Sequence, residues 1–229
     1  MSKDLPRVVD GPSIYDFVRA NIGPDGRLLD VNSDLPDEPP TTPGGIRFAA
    51  GAFDGTFGHH FGTEERDELA TALAAELTRA AQRPSKRNLR RLYGSLSSSD
   101  AALGLVDPAM ERLIALRPDH KGLHDLGRWL ATTAAHRDAV KIGIAILGVT
   151  GLDEDDATVV RTIGAHEKFT LYAAVAFTNG AASTESGLWQ LAKSTNGWGR
   201  IQCVEQLRAT DNAGIRDWIL RDGFRNSVM

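Results

Sequence analysis

The chain has 229 residues, with 26 Lys and Arg against 30 Asp and Glu and a formal net charge of −4. At 41% hydrophobic and 24% charged residues, it has the composition of a globular protein that can bury a core without disulfide or metal staples. Cys203 is the only cysteine, which excludes an intrachain disulfide and a cysteine-based zinc cluster and suits a reducing, cytoplasmic setting. The opening MSKDLPRVVD lacks the apolar stretch of a signal peptide. The longest apolar run, 140–149, contains Lys141 and is too short to span a bilayer, so no membrane partner is expected. The mild acidity argues against general nucleic-acid binding, which needs a basic face to release counterions.

In chain order, residues 1–9 are expected to be mobile, and Asp10-Gly11-Pro12-Ser13 opens a short helix. Ile14, Phe17, Val18 and Ile22 line its apolar face, and Gly23-Pro24-Asp25-Gly26 stops it. The stretch 23–45, with LPDEPPTTPGG, reads as a long acidic surface loop, because prolines exclude both helix and central strand. In 46–61, IRFAAGAFDGTFGHHF, the positions of Phe53, Phe57 and Phe61 predict a helix despite Gly55 and Gly58. Residues 1–62 thus form a loop-rich N-terminal cap, and 63–229 one continuous helical region.

Thr63 caps a helix with acids in its first turns and an apolar stripe of Leu69, Leu73 and Leu77, flanked by Ala70, Ala74 and Ala80. Pro84-Ser85 ends it, and a second helix carries Leu89, Leu92, Tyr93 and Leu96. Asp107-Pro108 predicts a helix start, with an end near Arg117-Pro118. A further helix over 122–134 buries Leu123, Leu126, Trp129 and Leu130. Without period-two alternation or an Asn-Gly hairpin signal, the fold class is all-α.

The C-terminal half reads as three helix pairs: 136–149 with 153–165, 167–179 with 184–194, and 198–209 with 211–222. Val140, Tyr172 and Ile201 recur in the first helices, and Val160, Leu191 and Ile219 in the second, at roughly 30-residue steps of the kind that mark stacked repeats. Each pair ends or turns on Gly148 and Gly151, Gly164, Gly180 or Gly223, while Asp153–Asp156, Glu185 and Asp211 open the second helices. These hairpins resemble HEAT or armadillo repeats over about residues 120–229. The segments WGRIQCVEQL, IRDWILRDGFRNSVM and GIRFAAGAFDG are similar to an uncharacterised bacterial group of HEAT-like proteins. The resemblance implies a right-handed α-α superhelix of antiparallel helix pairs, working as a scaffold that binds a protein partner. Residues 224–229 read as the start of another helix capped by Asn226 or Ser227. The last apolar face then either continues in further chain or meets a partner, which allows a homodimer through the C-terminal repeat end.

Candidate sites follow from residue type. Trp198, Arg200, Glu205, Arg221 and Arg225, with Arg216 and Trp218, crowd the last repeat, and Trp and Arg are common interface anchors. Arg83, Lys86, Arg87, Arg90 and Arg91 form a basic helix face, the alternative being phosphate contacts of a nucleic acid. HEAT-like DNA glycosylases make that an implication of the resemblance, although those proteins are strongly basic. Asp54 with His59 or His60 is the candidate pocket of a small-molecule enzyme. His120 and His124 have metal-ligand spacing but no third ligand, and Asp153 to Asp156 are explained by a helix N-terminus, so no metal is assigned. GxSxG, Walker A, HExxH and GxGxxG are all missing, so no catalytic residue and no cofactor is assigned.

Overall fold

The computed structural model describes residues 5–30, 34–38, 63–97, 102–180 and 184–226, and among them the chain is all-α. The helices are α1 (Ile14–Ala20), α2 (Thr63–Gln82), α3 (Lys86–Ser97), α4 (Ala102–Leu116), α5 (His120–Thr133) and α6 (Arg137–Thr150). They continue as α7 (Glu154–Gly164), α8 (Glu167–Gly180), α9 (Thr184–Ser194), α10 (Gly197–Gln206) and α11 (Ala213–Trp218), which runs into a π-helical turn at Ile219–Gly223. No helix among the described residues is long and apolar enough to cross a membrane.

Several starts follow local sequence chemistry. The Ser13 side chain accepts from the Asp16 amide to begin α1, and Asp119 accepts from the Gly122 amide to begin α5. Asp153 and Asp156 form a reciprocal capping box at the head of α7. Other expectations are corrected. Pro108 lies inside α4, which begins at Ala102 rather than at Asp107-Pro108. In α2 the buried side is Ala70, Ala74, Leu77, Ala80 and Ala81, while Leu69 is exposed and Leu73 half-buried. Alanines let α2 approach α4 and α5 closely, so they and Leu77, rather than Leu69 and Leu73, face inward.

Helices two apart in the chain pack side by side. One row runs α4, α6, α8, α10, and a second runs α5, α7, α9. Between the rows α5 packs on α6, α7 on α8 and α9 on α10. The first expected pair is therefore not formed, since α6 packs chiefly on α5 and α8 rather than α7, whereas in the second α8 does pack on α9. Glycines lie at several of these contacts. Gly148 faces Ala176 of α8, and a Cβ on Gly164 would stand 2.6 Å from the Ala173 Cβ. Gly148 is thus a packing position inside α6, while Gly164 and Gly180 both meet a neighbouring helix and end α7 and α8, as expected. Of the glycines read as turns, Gly151 follows the end of α6 at φ +92°, in the left-handed region.

Helix α6 is the centre of the core, with Ala139, Val140, Ile142, Ile144, Ile146 and Leu147 inaccessible to solvent. Its neighbours are α3, α4, α5 and α8. Lys141, which interrupts the apolar run, is itself buried and paired with Asp138 at 3.0 Å.

The N-terminal residues are less free than expected. Val9 is buried, and Arg7 donates to the Val9 and Gly11 carbonyls. Helix α1 buries Ile14 and Val18 against α5 and α7, with the Ile14 amide donating to the Ala134 carbonyl at 2.9 Å. Within the stretch read as a surface loop, Ile22 and Leu28 form an antiparallel bridge and Leu35 is buried. Residues 34–38 form a tether: Asp37 accepts from the Arg137 amide at 2.9 Å and from its Nε at 3.0 Å. Glu38 accepts from Arg137 Nη1 at 3.0 Å and also pairs with Lys168, so one short segment ties the heads of α6 and α8. The segment 46–61 lies outside the described residues.

The close crossing of α5 and α6 gives a paired prediction. A Cβ on Gly143 would stand 2.6 Å from the Ala131 nitrogen and 2.8 Å from the Gly127 oxygen, backbone atoms that cannot turn away. Gly143→Ala should cost about 2 kcal/mol in urea unfolding followed by circular dichroism. Gly94→Ala in α3, where a Cβ would meet nothing within 4 Å, should instead stabilise by about 0.5–1 kcal/mol. Equal effects at the two positions would contradict the backbone contact.

Candidate functional site

The open face of α8 and α10 carries the first candidate surface. Gly199 fits directly against Thr170, where a Cβ would be 2.4 Å from the Thr170 Cβ, and this brings the N-terminal turns of the two helices together. Thr170 is fixed in turn, its hydroxyl donating to the Gly164 carbonyl at 2.8 Å. Next to this contact, Leu171 and Val175 of α8 are exposed one turn apart, as are Trp198 and Ile201 of α10. Trp198 is 57% exposed. Glu205 continues its face of α10 and is also exposed.

Arg200 points the other way. It is 4% exposed, and its guanidinium donates to the Asp222 and Gly223 carbonyls of the π-helical turn while stacking over Trp218 at 5.2 Å. It is an internal clamp, not the surface anchor its neighbours suggest. Burial, then the nearby charge of Arg27, pushes its guanidinium below the ordinary arginine value. Asn226 completes the clamp. It accepts from the Gly197 amide at 2.6 Å and donates to the Gly197 carbonyl at 2.9 Å, so its side chain is held on the start of α10. Residues 227–229, where the expected further helix would run, lie outside the described residues. Arg221 pairs with Asp217 at 2.8 Å and Arg225 with Asp222 at 3.1 Å, both on exposed side chains. Of the five residues proposed in the last repeat, Trp198 and Glu205 share the open face and the three arginines do not.

A buried ionic cluster joins α5, α6 and α7, and the sequence does not reveal it as a unit. His124 Nε2 is 3.1 Å from Asp156 Oδ2, and Arg128 Nη1 is 3.0 Å from Asp156 Oδ1. Asp156 has no solvent exposure. The Thr150 hydroxyl donates to the Ile146 carbonyl at 2.9 Å, so its oxygen is free to accept from His124 Nδ1 at 3.2 Å. Both ring nitrogens then act as donors, which is the imidazolium form. The Asp156 hydrogen bond accordingly raises the His124 pKa above its ordinary 6.5, against the opposing effect of burial. Burial disfavours the charged form of Asp156, but the His124 hydrogen bond and the charges of His124 and Arg128 outweigh it and hold the carboxyl below its usual value. His124, Asp153 and Asp156 could by geometry hold a cation. Arg128, 3.0 Å from Asp156 and 3.9 Å from Asp153, supplies that charge itself. His120 is exposed and stands apart from this group.

Arg83, Lys86, Arg87, Arg90 and Arg91 are all exposed, and Arg91 pairs with Glu76 of α2 at 2.9 Å. Asp54, His59 and His60 lie outside the described residues.

The ionic cluster makes stability depend on pH with a defined sign. A histidine whose folded pKa is raised contributes fully below its unfolded value and loses that contribution as pH rises through the folded value. The cost of His124→Gln should be about 2 kcal/mol at pH 6 and should shrink steadily towards pH 9, by urea unfolding across that range. A cost that grew with pH would mean that the ring is neutral in the fold.

No protein-family model matches the chain, and neither the curated proteins nor the solved structures provide a match, so a functional reading must be built from its own surfaces.

Proposed function

We propose that the chain is a HEAT-like helical scaffold that binds a helix of a protein partner on the open face of α8 and α10. The observation that carries this is the set Leu171, Val175, Trp198 and Ile201, four apolar side chains left in solvent on adjacent helices of one row. The same row supports the choice of a helix as occupant. Helix α6 has α4 and α8 at its sides and α5 behind it, and α3 also packs on it, with Leu89, Leu92 and Leu96 buried at i, i+3 and i+7. An amphipathic partner helix with that spacing would do on α8 and α10 what α3 does on α6.

A second reading is favoured by one observation. Arg83, Lys86, Arg87 and Arg90 are exposed on α3 without an ion-pair partner among the described residues, a face suited to phosphates. Binding of this kind would weaken steeply with salt, whereas capture by an apolar face would not. Leu220 and Phe224, 79% and 76% exposed, form a further apolar end where two copies could meet.

The test is a double substitution, Val175→Lys with Trp198→Asp, in the full chain. Both side chains are exposed, so urea unfolding should move by no more than about 1 kcal/mol. A stoichiometric protein captured from native lysate by the wild type should bind the variant at least about 30-fold more weakly. Capture that the double substitution leaves unchanged would overturn the assignment of this face. Dimerisation in sedimentation velocity, abolished by Leu220→Glu, would move the partner surface to the C-terminal end.

A further inference from the structure

On the side of α10 opposite the open face lies a cavity of about 650 Å³ with more cations than acids in its lining. Arg27, Lys193, Arg200 and Arg225 line it against two carboxylates, Asp25 and Asp222. The volume falls within the range of small-molecule sites, roughly 300–1,000 Å³.

The cavity is built from parts that are individually fixed. The 21–29 turn is closed by the Gly23 amide donating to the Arg27 carbonyl at 2.8 Å and by the Leu29 amide donating to the Asn21 carbonyl at 2.8 Å. From it Arg27 reaches across the fold, its Nε donating to the Lys193 carbonyl at 2.9 Å. Arg200 is locked by the carbonyls of the π-helical turn and lies against Trp218, which also faces the cavity.

Three groups in this lining have donor capacity that the fold does not use. The Lys193 ammonium makes no hydrogen bond or ion pair among the described residues and lies 4.0 Å over the Trp189 ring. Arg27 is ion-paired through Nε with Asp25 at 4.0 Å, and its terminal nitrogens make no hydrogen bond among the described residues. Asn196 precedes α10 without capping it, so its amide is also unengaged. Asp222 is taken by Arg225 at 3.1 Å, and Arg200 bonds carbonyls rather than an acid. With Arg27 set against Asp25 and Arg225 against Asp222, Lys193 and Arg200 are the two cations of the lining left without a carboxylate, beside the positive end of the α10 dipole.

We propose that this cavity binds a phosphate monoester. The dianion matches the two uncompensated charges, and a tetrahedral group with three oxygens suits a guanidinium, an ammonium and an amide converging from different directions. The organic part lies along Trp218. This site is separate from the α8 and α10 face, so the two readings stand or fall independently.

The experiment is isothermal titration of the full chain at low ionic strength with phenyl phosphate, inorganic phosphate and benzoate in separate runs, alongside the Trp218 indole NMR signal. Phenyl phosphate should bind more tightly than inorganic phosphate and shift the Trp218 signal. Lys193→Gln, which removes no hydrogen bond from the fold, should weaken phenyl phosphate at least about tenfold with an unchanged circular dichroism spectrum. Absence of binding, or binding that Lys193→Gln leaves intact, would overturn the site. Benzoate binding as tightly as phenyl phosphate would overturn the assignment to phosphate.

Discussion

Helix α6 can be buried on every side only because its neighbours approach its backbone. Gly127 and Gly143 remove side chains from the α5–α6 crossing, and Gly148 does the same towards α8, where a Cβ on Gly180 would stand 2.7 Å from the Gly148 oxygen. At such distances dispersion contacts run between main-chain atoms, and the surrounding isoleucines, leucines and valines fill the remaining space. The two rows take their spacing from this seam. A bulkier residue there would push α5 and α8 outward and, with them, the helices stacked beyond.

Ionic groups are placed around this seam rather than in it. The Arg137–Asp37–Glu38–Lys168 group closes one end of α6, and the His124–Asp156–Arg128 group closes the other, beside Thr150. Both groups join three segments of chain at once. Arg137, Glu38, Asp156 and Arg128 each have more than one partner, which is the arrangement that offsets the cost of removing a charge from water. The C-terminal end uses a different device: Arg200 satisfies backbone carbonyls freed by the π-helical turn, so a cation ties down main chain instead of pairing with an acid.

Much of this fold is legible in the sequence because the signals are local. Ser13, Asp119 and the 153–156 acids mark helix starts by their own hydrogen bonds, and Leu89, Leu92 and Leu96 mark a face by spacing alone. What is not legible depends on the partner across the contact. Glycine carries the same letter whether it follows a helix end at positive φ, as at Gly151, or admits a neighbouring helix, as at Gly148, so the packing of α6 on α5 and α8 rather than α7 is not readable from it. Alanine in α2 ranks below leucine in hydrophobicity yet takes the inner face, because closeness of approach outweighs side-chain size there. Trp198 and Arg200 look alike as interface residues, but two positions along a helix is more than half a turn, and only one of them can meet solvent. His124 and Asp156 sit on different helices, so their pairing leaves no spacing signature at all.

The tether and the 21–29 turn give the chain a wiring unlike that of a simple stack. In a repeat array each unit touches only its neighbours, and either end can fray without informing the other. Here Asp37 bonds Arg137 across 100 positions, and Arg27 bonds Lys193 across 166. These links close large loops, tying the 34–38 segment to α6 and the 21–29 turn to α9. A molecule held between Arg27 and Lys193 would therefore act as a staple on the whole domain, linking occupancy of one small cavity to the cooperativity of unfolding.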